Sequence, residues 1–540
     1  MSKTDKPSGV PLRLYTALAR LARRRWFWIG CIIAVCVSNI FWLSRNQLNG
    51  DVAYYLYAGE RIADGAVLYK DIGDMNPPLI YVLEMPLVWI AKTFHSQPHV
   101  FWYTGLWLMF AGILLLCHYL GKKLCPRTSL YPLLLFVTVS FGIVDRSEFG
   151  QRDQLVAYAF LPLLLSCAGR IAMSAQPRLG AVVASCLAGV SIALKPFFLV
   201  PWLFLMIIIA AYIGTRRTAR TPEFLVVVVI QTIYAALVLC FFPQYLLVAR
   251  SAMHYYSAYN ESLHAFTPFL PSVGLLLLII TLKFSSPSAG LVMAGTASAF
   301  GFLLGAVLQH KAWPYHLLPF RFLSSLVIAM ALAAFMQSQY RRRLTRVNIT
   351  LALWLTGAAL VTYSARYATT VDAPSQPESL RSAVQRMVPG RPILVLSTDL
   401  WFSFPMIYET RQRLAQRNAC LWMIPGLYSD QVRFSSSLLR IGKLKPPQEA
   451  HYHLRAEMSN DEKMLFEEIR GALAQKPGIV YVQTGPKQGL GNLKFDFIQY
   501  FSSDPEMARA LRTYVPWSSS TSDQSWMGRC FTVLVRQGST

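Results

Sequence analysis

Charged side chains are scarce in this chain of 540 residues: they make up 14% of it, whereas hydrophobic residues make up 54%. An ordinary soluble domain has about 25% charged residues. The shortage excludes a disordered chain and argues against an enzyme that is soluble throughout. Apolar runs long enough to cross a hydrocarbon layer of about 30 Å recur through the first two thirds of the sequence. The composition therefore predicts a multi-pass membrane protein.

Acidic residues are especially few, because 27 Asp and Glu stand against 51 Lys and Arg, which gives a formal net charge of +24. In a membrane protein this excess has two sources: cytoplasmic loops that set the orientation, and sites for anionic lipids or phosphates. The basic residues come as short clusters between apolar runs and form no continuous stripe. We therefore expect membrane lipids as partners and no binding of nucleic acid.

The nine cysteines include no CxxC pair, so a metal site built from thiolates is not expected. Cys420 and Cys530 lie in the C-terminal part of the chain, where a disulfide and two free, buried thiols are both open alternatives. No cleavable signal peptide is evident, because the basic start of the sequence leads into an anchor over 26–43.

The apolar runs predict about eleven membrane spans, at 26–43, 101–120, 129–144, 154–170, 179–196, 197–214, 223–243, 268–283, 288–308, 314–336 and 347–364. Basic clusters fall on one side of these spans, which the positive-inside rule makes cytoplasmic. The N-terminus is then inside, and the region after Ser364 is outside. We expect the cell membrane as the location, and the inner membrane of a bacterium in particular.

From about residue 372 the composition changes to that of a soluble α/β domain. Strand-like runs lie at 393–397, 479–483 and 531–536, and a helix with apolar residues every fourth position is predicted over 460–475. The predicted fold is therefore a polytopic α-helical membrane domain over 1–371, followed by an extracytoplasmic α/β domain over 372–540.

Ten of the twelve Asp and Glu before residue 365 fall on the predicted outer side. Acidic residues contribute little to topology, so their concentration on one side indicates a polar cavity that opens outward; solvated loops are the simpler alternative.

Asp51 is the first acid after the first span. Its carboxylate can accept a proton from an attacking hydroxyl at the membrane surface, or it can cap the helix that follows.

The order of features in this outer loop resembles the GT-C superfamily of membrane glycosyltransferases. These features are Asp51 after the first span, a Tyr-rich helix, a Gly-x-x-x-Tyr-x-Asp turn at 65–71, and Pro-Pro-Leu-x-Tyr at 77–81. The branch it resembles most contains the dolichyl-phosphate-mannose protein mannosyltransferases and the lipid A aminoarabinose transferases. The resemblance implies a polyprenyl-phosphate sugar donor, an extracytoplasmic lipid, glycan or protein acceptor, and Asp51 as the catalytic base. Asp71, Asp74 and Asn76 are candidate substrate-binding residues in the same loop.

The second outer loop, 145–153, carries five charged residues. GT-C proteins have an acid in the corresponding loop, and the resemblance assigns it to Asp153, as a candidate ligand for a divalent cation or as a residue that positions the acceptor. Arg152 is a candidate substrate-binding residue. Alternatively, Arg146 and Arg152 neutralise Glu148 and Asp153 in salt bridges.

Two further segments are predicted at the outer membrane boundary. Leu194-Lys195-Pro196 resembles the Leu-x-Lys motif of the aminoarabinose transferases, which implies that Lys195 contacts the carrier phosphate. The proline favours an extended or turn geometry for this lysine, although snorkelling to the headgroups is the alternative. The second segment, 309–316, supplies His310, Lys311 and His316 as candidates for binding a phosphate and a sugar ring. Its two histidines are too few for a zinc site.

These features together predict an inverting glycosyl transfer. Asp51 removes the proton of the acceptor hydroxyl, the polyprenyl phosphate leaves, and Lys195, with Lys311 or His310, stabilises the charge on that phosphate. The alternative is a transporter or flippase for a lipid-linked or anionic solute. Such a protein typically has charged or broken helices at the membrane midplane and two related halves, and neither is evident here.

Overall fold

Helices dominate the architecture, as the apolar runs predict. The computed structural model describes residues 24–45, 48–122, 124, 127–144, 146–172, 177–282, 286–339, 384, 390–432, 448–485, 487, 489–517, 523–525 and 529–537. The helices before residue 340 are α1 Arg25–Leu43, α2 Gly50–Ala63, α3 Leu79–Thr93, α4 Pro98–Gly121, α5 Arg127–Val139, α6 Arg152–Ala159, α7 Leu161–Ile171, α8 Arg178–Ile192, α9 Leu199–Ile213, α10 Thr215–Thr218, α11 Pro222–Phe241, α12 Gln244–Tyr255, α13 Leu270–Thr281, α14 Ser286–Leu308 and α15 Pro314–Gln339.

Eight helical stretches in the described part of the chain are long and apolar enough to cross a membrane. They coincide with eight of the predicted spans, so the prediction of a polytopic helical protein is confirmed. Two other predicted spans correspond to shorter apolar helices, Leu130–Ile143 and Arg178–Ile192. The eleventh, 347–364, lies outside the described residues. The full count of eleven therefore stays a prediction.

The chain divides into two compact units. The first unit consists of Met1–Asn46, Thr104–Tyr234 and Ala265–Thr370, and the second of Gln47–Tyr103, Ala235–His264 and Val371–Thr540. The loop after α1 and the C-terminal region thus belong to one unit, which differs from the predicted division at 371/372. That boundary lies outside the described residues.

Within the first unit, α14 packs against α7, α9 and α15. Close approach depends on glycine at two positions of α14. A Cβ on Gly290 would lie 2.4 Å from the carbonyl oxygen of Ala168, and one on Gly301 would lie 2.3 Å from the Cα of Pro201. Small residues allow such contacts between membrane helices, which gain stability from packing rather than from the exclusion of water.

The second unit contains a mixed sheet. Its strands are β1 Ile393–Leu396, β3 Ile479–Gln483, β5 Tyr514–Pro516, β6 Asp523–Ser525 and β7 Arg529–Arg536, while β2 Gln448–Glu449 and β4 Leu493–Lys494 form a separate pair. The order is β1-β3-β7-β5, with β6 also pairing with β7. β1 and β3 are parallel, whereas β7 runs antiparallel to β3, β5 and β6. The three predicted strand positions are thereby confirmed.

The remaining helices are α16 Met406–Glu409, α17 Ile424–Leu427, α18 Asn460–Ala474, α19 Phe497–Phe501 and α20 Pro505–Leu511. The predicted helix at 460–475 is α18. The side chain of Ser459 caps its N-terminus by accepting a hydrogen bond from the backbone of Glu462. Its apolar residues Leu465, Ile469 and Leu473 enter the hydrophobic core beside the sheet. Cys420 is a free thiol, and the side chain of Cys530 lies outside the described residues.

Candidate functional site

Three of the predicted site residues meet in the first unit. Asp153 lies in the first turn of α6, Lys195 follows the end of α8, and His316 lies in the first turn of α15. The Lys195 ammonium lies 2.8 Å from Nδ1 of His316 and 3.6 Å from Oδ2 of Asp153. Nδ1 of His316 lies 3.5 Å from Oδ1 of Asp153. We call these three residues the Asp–Lys–His cluster.

The cluster is buried: Asp153 is 1% exposed and His316 6%, while the side chain of Lys195 is 12% exposed. A charged lysine has three donors and no acceptor. At 2.8 Å, Nδ1 of His316 therefore accepts a hydrogen bond from Lys195, which assigns the imidazole proton to Nε2. His316 and Asp153 thus hold the ammonium of Lys195 on two sides.

The geometry of Lys195 follows from the next residue. Proline disfavours helical geometry in the residue before it, and Lys195 is extended, with φ −159° and ψ 127°. Helix α8 consequently ends at Ile192, four residues before the predicted end of this span. The predicted effect of Pro196 on the lysine is confirmed. In the same way, a proline at the first position of α15 favours the start of that helix two residues before His316.

Aromatic rings surround the lysine. Its ammonium lies 5.8 Å from the ring centres of both Phe198 and Tyr315, within the range of a cation–π interaction. The ring of Tyr315 lies in turn 4.3 Å from that of His316. The sequence reasoning missed Phe198 as a neighbour of Lys195, although its position three residues after the lysine, in a short 3₁₀ turn, was a usable signal.

The other candidates of the first unit are less closely associated with the cluster. Arg152 is buried, and its charge acts on both Asp153 and His316. Lys311 is buried with its ammonium 5.5 Å from the ring of Trp313. His310 is exposed and has a left-handed backbone, with φ 51°. Among the described residues, no hydrogen bond or ion pair joins His310 to the cluster.

The surroundings of Asp153 do not fit the predicted divalent cation. The ammonium of Lys195 and the Nδ1 atom of His316 face the carboxylate of Asp153. Neither group supplies the oxygen ligands that Mg²⁺ or Ca²⁺ requires. In the described part of the chain, no group of three or more His, Cys, Asp or Glu side chains could hold a metal ion.

Asp51 lies in the second unit, and its helix has another cap. The side chain of Asn49 accepts hydrogen bonds from the backbone N–H groups of Asp51 and Val52, at 3.0 and 3.4 Å. The alternative that Asp51 is the N-cap of α2 is therefore wrong. Asp51 is half-buried in the first helical turn, where an acidic side chain interacts favourably with the helix dipole.

Asp74 and Asn76 take part in a network that fixes the loop between α2 and α3 in the second unit. Both the backbone and the side chain of Asn76 donate to Oδ1 of Asp74, at 3.0 and 2.9 Å. The hydroxyl of Tyr81 donates to Oδ2 of the same carboxylate. Because Asp74 is buried and accepts three hydrogen bonds, these contacts order the loop. Asp71 is exposed and accepts a hydrogen bond from the backbone of Val67 at 2.8 Å.

A buried ion pair of the first unit was not predicted from the sequence. Glu223, at the start of α11, is fully buried, and Nε and one terminal nitrogen of Arg170 lie 3.2 and 3.3 Å from its two oxygens. The hydroxyl of Ser166 donates to the same carboxylate at 2.5 Å. The spacing of Ser166 and Arg170, four residues apart on one helix, places both on one face.

No family model matches this chain, and no curated protein sequence matches it.

Proposed function

We propose that this protein is an integral membrane glycosyltransferase. It moves a sugar from a polyprenyl-phosphate donor to a lipid, glycan or protein acceptor outside the cytoplasm, with inversion at the anomeric carbon. The proposal assigns the binding of the donor phosphate to the Asp–Lys–His cluster.

The observation that carries this assignment is an ammonium, 12% exposed, at the end of apolar helices. Asp153 and His316 lie at the starts of the spans Arg152–Ile171 and Pro314–Leu332, and Lys195 directly precedes the span Pro196–Ile213. Ionisable groups that border membrane spans and are shielded from water are unfavourable unless they are paired or serve a function. The predicted topology places all three helix ends on the outer side, where a phosphate whose lipid tail stays in the bilayer would meet them.

The cluster supports a specific chemistry. When the bond between the sugar and the phosphate breaks, negative charge grows on the departing phosphate oxygen. A hydrogen-bond donor of the protein that is already held in position stabilises this charge without reorganisation. Asp153 and His316 fix the ammonium of Lys195 by attraction and by a hydrogen bond, so the lysine is positioned before the donor arrives. Arg152 adds a second cation close to the cluster.

Asp51 is the proposed catalytic base, on the strength of the motif in which it lies. The hydrogen bonds of Asn49 remove the need for Asp51 as a cap. In the proposed reaction its carboxylate takes the proton of the acceptor hydroxyl, while the hydroxyl oxygen forms the new bond to the anomeric carbon and the phosphate departs with the bonding electrons.

The placement of buried charges gives less support to a transporter. Along the helical stretch Arg152–Ile171, Asp153 lies near one end and Arg170 near the other, about 25 Å apart at 1.5 Å per residue. Arg170 pairs with Glu223, at the start of the span Pro222–Phe241. Charges that line a transport path are expected near the midplane, whereas these lie at helix ends.

Binding of undecaprenyl phosphate to the purified full-length protein in nanodiscs tests the donor assignment. We expect the wild-type protein to bind this probe and Lys195→Ala to bind it at least tenfold more weakly, since a hydrogen bond to a charged group contributes about 1.5–3 kcal/mol. Lys195→Arg keeps the positive charge and should retain part of the affinity.

Lys122→Ala is the matched control. Lys122 also follows an apolar helix, and its ammonium lies 4.8 Å from the ring centre of Tyr119. It is exposed and does not belong to the Asp–Lys–His cluster. Its loss should leave binding unchanged. Equal binding by the wild-type protein and a folded Lys195→Ala variant would contradict the assignment and make Lys195 a snorkelling anchor.

A further inference from the structure

A large polar cleft lies within the second unit, formed by residues of 57–96 and of 408–475. Its volume is about 1040 Å³, enough for roughly 35 water molecules at about 30 Å³ each. Six basic side chains line it: Arg61, Lys70, Lys92, Arg411, Arg413 and Arg417. Binding sites for apolar small molecules are lined mainly by hydrophobic side chains, so the composition of this lining points to a charged ligand.

The lining has an excess of positive charge. Its acidic residues are Glu60, Asp64 and Asp71, three against six cations. Asp64 pairs with Lys92 at 2.5 Å, and Arg411 lies close enough for its charge to act on Glu60. Neither Arg411 nor Arg413 forms an ion pair or a hydrogen bond through its guanidinium with another described residue. Their donors therefore face the solvent of the cleft.

Two of the lining residues have a backbone geometry that usually belongs to glycine. Arg411 and His95 have φ angles of 53° and 51°, and each directly follows the last turn of a helix. The N–H groups of Gln412 and Ser96 close these turns by donating to the carbonyls of Ile407 and Ala91, each at 2.9 Å. This is the Schellman arrangement, in which glycine is preferred.

Helix α2 ends in the same arrangement at the edge of the same cleft, and there the residue is Gly65, with φ 96°. A side chain in this left-handed region costs about 1–2 kcal/mol. Strained residues of this kind cluster at functional sites. The chain thus places an arginine and a histidine at two positions of the cleft where glycine would give a more stable backbone.

The cations exceed what the helix ends require. Four helix C-termini lie at the cleft, those of α2, α3, α16 and α18, and each carries at most about half a negative charge. These dipoles offset at most about two of the three excess positive charges, and the single turn of α16 contributes less than a longer helix. Glu468, 4.0 Å from Arg417, pairs with one of the cations. The helix ends alone therefore do not account for the excess.

We propose that this cleft binds an anionic oligosaccharide, a sugar chain carrying carboxylate or phosphate groups. Its negative charge is matched by Arg411 and Arg413, and the volume of the cleft exceeds what a single small anion fills. That the ligand is a sugar rests on the proposed function, whereas its negative charge follows from the lining. Bound there, the ligand is held at the far end of α2 from Asp51, about 15 Å along the helix from its first turn to its last.

Calorimetric titration of the purified full-length protein tests the proposal with four probes: tetragalacturonate, uncharged maltotetraose, a tetraglutamate peptide and inorganic phosphate. We expect tetragalacturonate to bind at least tenfold more tightly than each of the others, and more weakly as salt is added. Equal binding of maltotetraose would overturn the role of charge, and equal binding of phosphate or tetraglutamate would overturn the assignment to a sugar. No binding of tetragalacturonate would overturn the proposal as a whole.

Arg411→Gly locates the site, because it removes the guanidinium and at the same time relieves the backbone. We expect binding to weaken about tenfold or more with no loss of thermal stability. Lys476→Gly is the control: Lys476 has the same left-handed backbone, φ 54°, after α18, although Pro477 has no N–H to close the turn, and it does not line the cleft. A destabilised Arg411→Gly variant, or one that binds as the wild type does, would show that Arg411 only caps its helix. Binding of undecaprenyl phosphate to the Arg411→Gly variant should be unaffected. A failure of this inference is therefore distinguishable from a failure of the proposed function.

Discussion

The strongest prediction concerns the pairing of Lys195 with Asp153. Replacement of Lys195 by methionine leaves the carboxylate of Asp153, which is 1% exposed, without the ammonium that lies 3.6 Å away. Removing one partner of a buried ion pair typically costs about 3–5 kcal/mol. Because the charge of Arg152 also acts on Asp153, we expect the lower end of that range, about 3 kcal/mol.

The double variant Asp153→Asn/Lys195→Met separates stability from function. With the carboxylate neutralised, no buried charge is left without a counterion, and the loss of stability should be smaller than the sum of the two single losses by about 2 kcal/mol. Donor use should stay low, because the lysine proposed to contact the phosphate is still absent.

The assay is equilibrium unfolding by SDS in mixed micelles. It is applied to the wild-type protein, Asp153→Asn, Lys195→Met and the double variant, and binding of undecaprenyl phosphate is measured on the same four proteins. Lys122→Met serves as the control, and a change within about 0.5 kcal/mol is expected for this exposed side chain. Strictly additive losses would refute the account of a coupled charge pair. Full recovery of donor binding in the double variant would show that Lys195 acts only through Asp153.

Three further predictions address other parts of the molecule. Asp51→Asn should lower turnover by about 10²–10⁴-fold, the range for loss of a general base, with a stability change below about 1 kcal/mol because Asn49 is the cap; turnover near that of the wild type would refute the catalytic role. Gly73→Ala should destabilise the protein by about 1–3 kcal/mol, since its Cβ would lie 2.2 Å from the amide oxygen of Asn418, and an unchanged thermal unfolding midpoint would contradict this packing. A reporter that is active only in the cytoplasm, fused after Thr540, should be inactive, and an active one would reverse the topology.

Local signals in the sequence predicted local structure well. The strands at 393–396 and 479–483 were evident from continuous apolar runs, and the extended geometry of Lys195 followed from the proline after it. One of the two alternatives for Asp51 assigns it as the cap of α2, whereas the cap is Asn49. Both residue types are good caps. Only the geometry of the turn decides which side chain reaches the backbone N–H groups.

Contacts between distant segments could not be predicted. Lys195 and His316 are 121 residues apart, and the motifs indicate each as a candidate without indicating that they meet. It also treated His310 and His316 alike, although one is exposed and the other is buried in the cluster. Their difference follows from the turn at His310 and the helix that begins at Pro314. The cleft depends likewise on residues from two remote segments, 57–96 and 408–475.

The central claim is that the protein consumes a lipid-linked sugar. Mass spectrometry of the lipid extract from cells that lack the protein tests this most directly, with cells carrying the wild-type gene and the Asp51→Asn variant beside them. The account predicts that a polyprenyl-phosphate sugar accumulates in the deletion and variant cells and returns to its normal level with the wild type. An unchanged set of lipid-linked sugars in the deletion cells would contradict it.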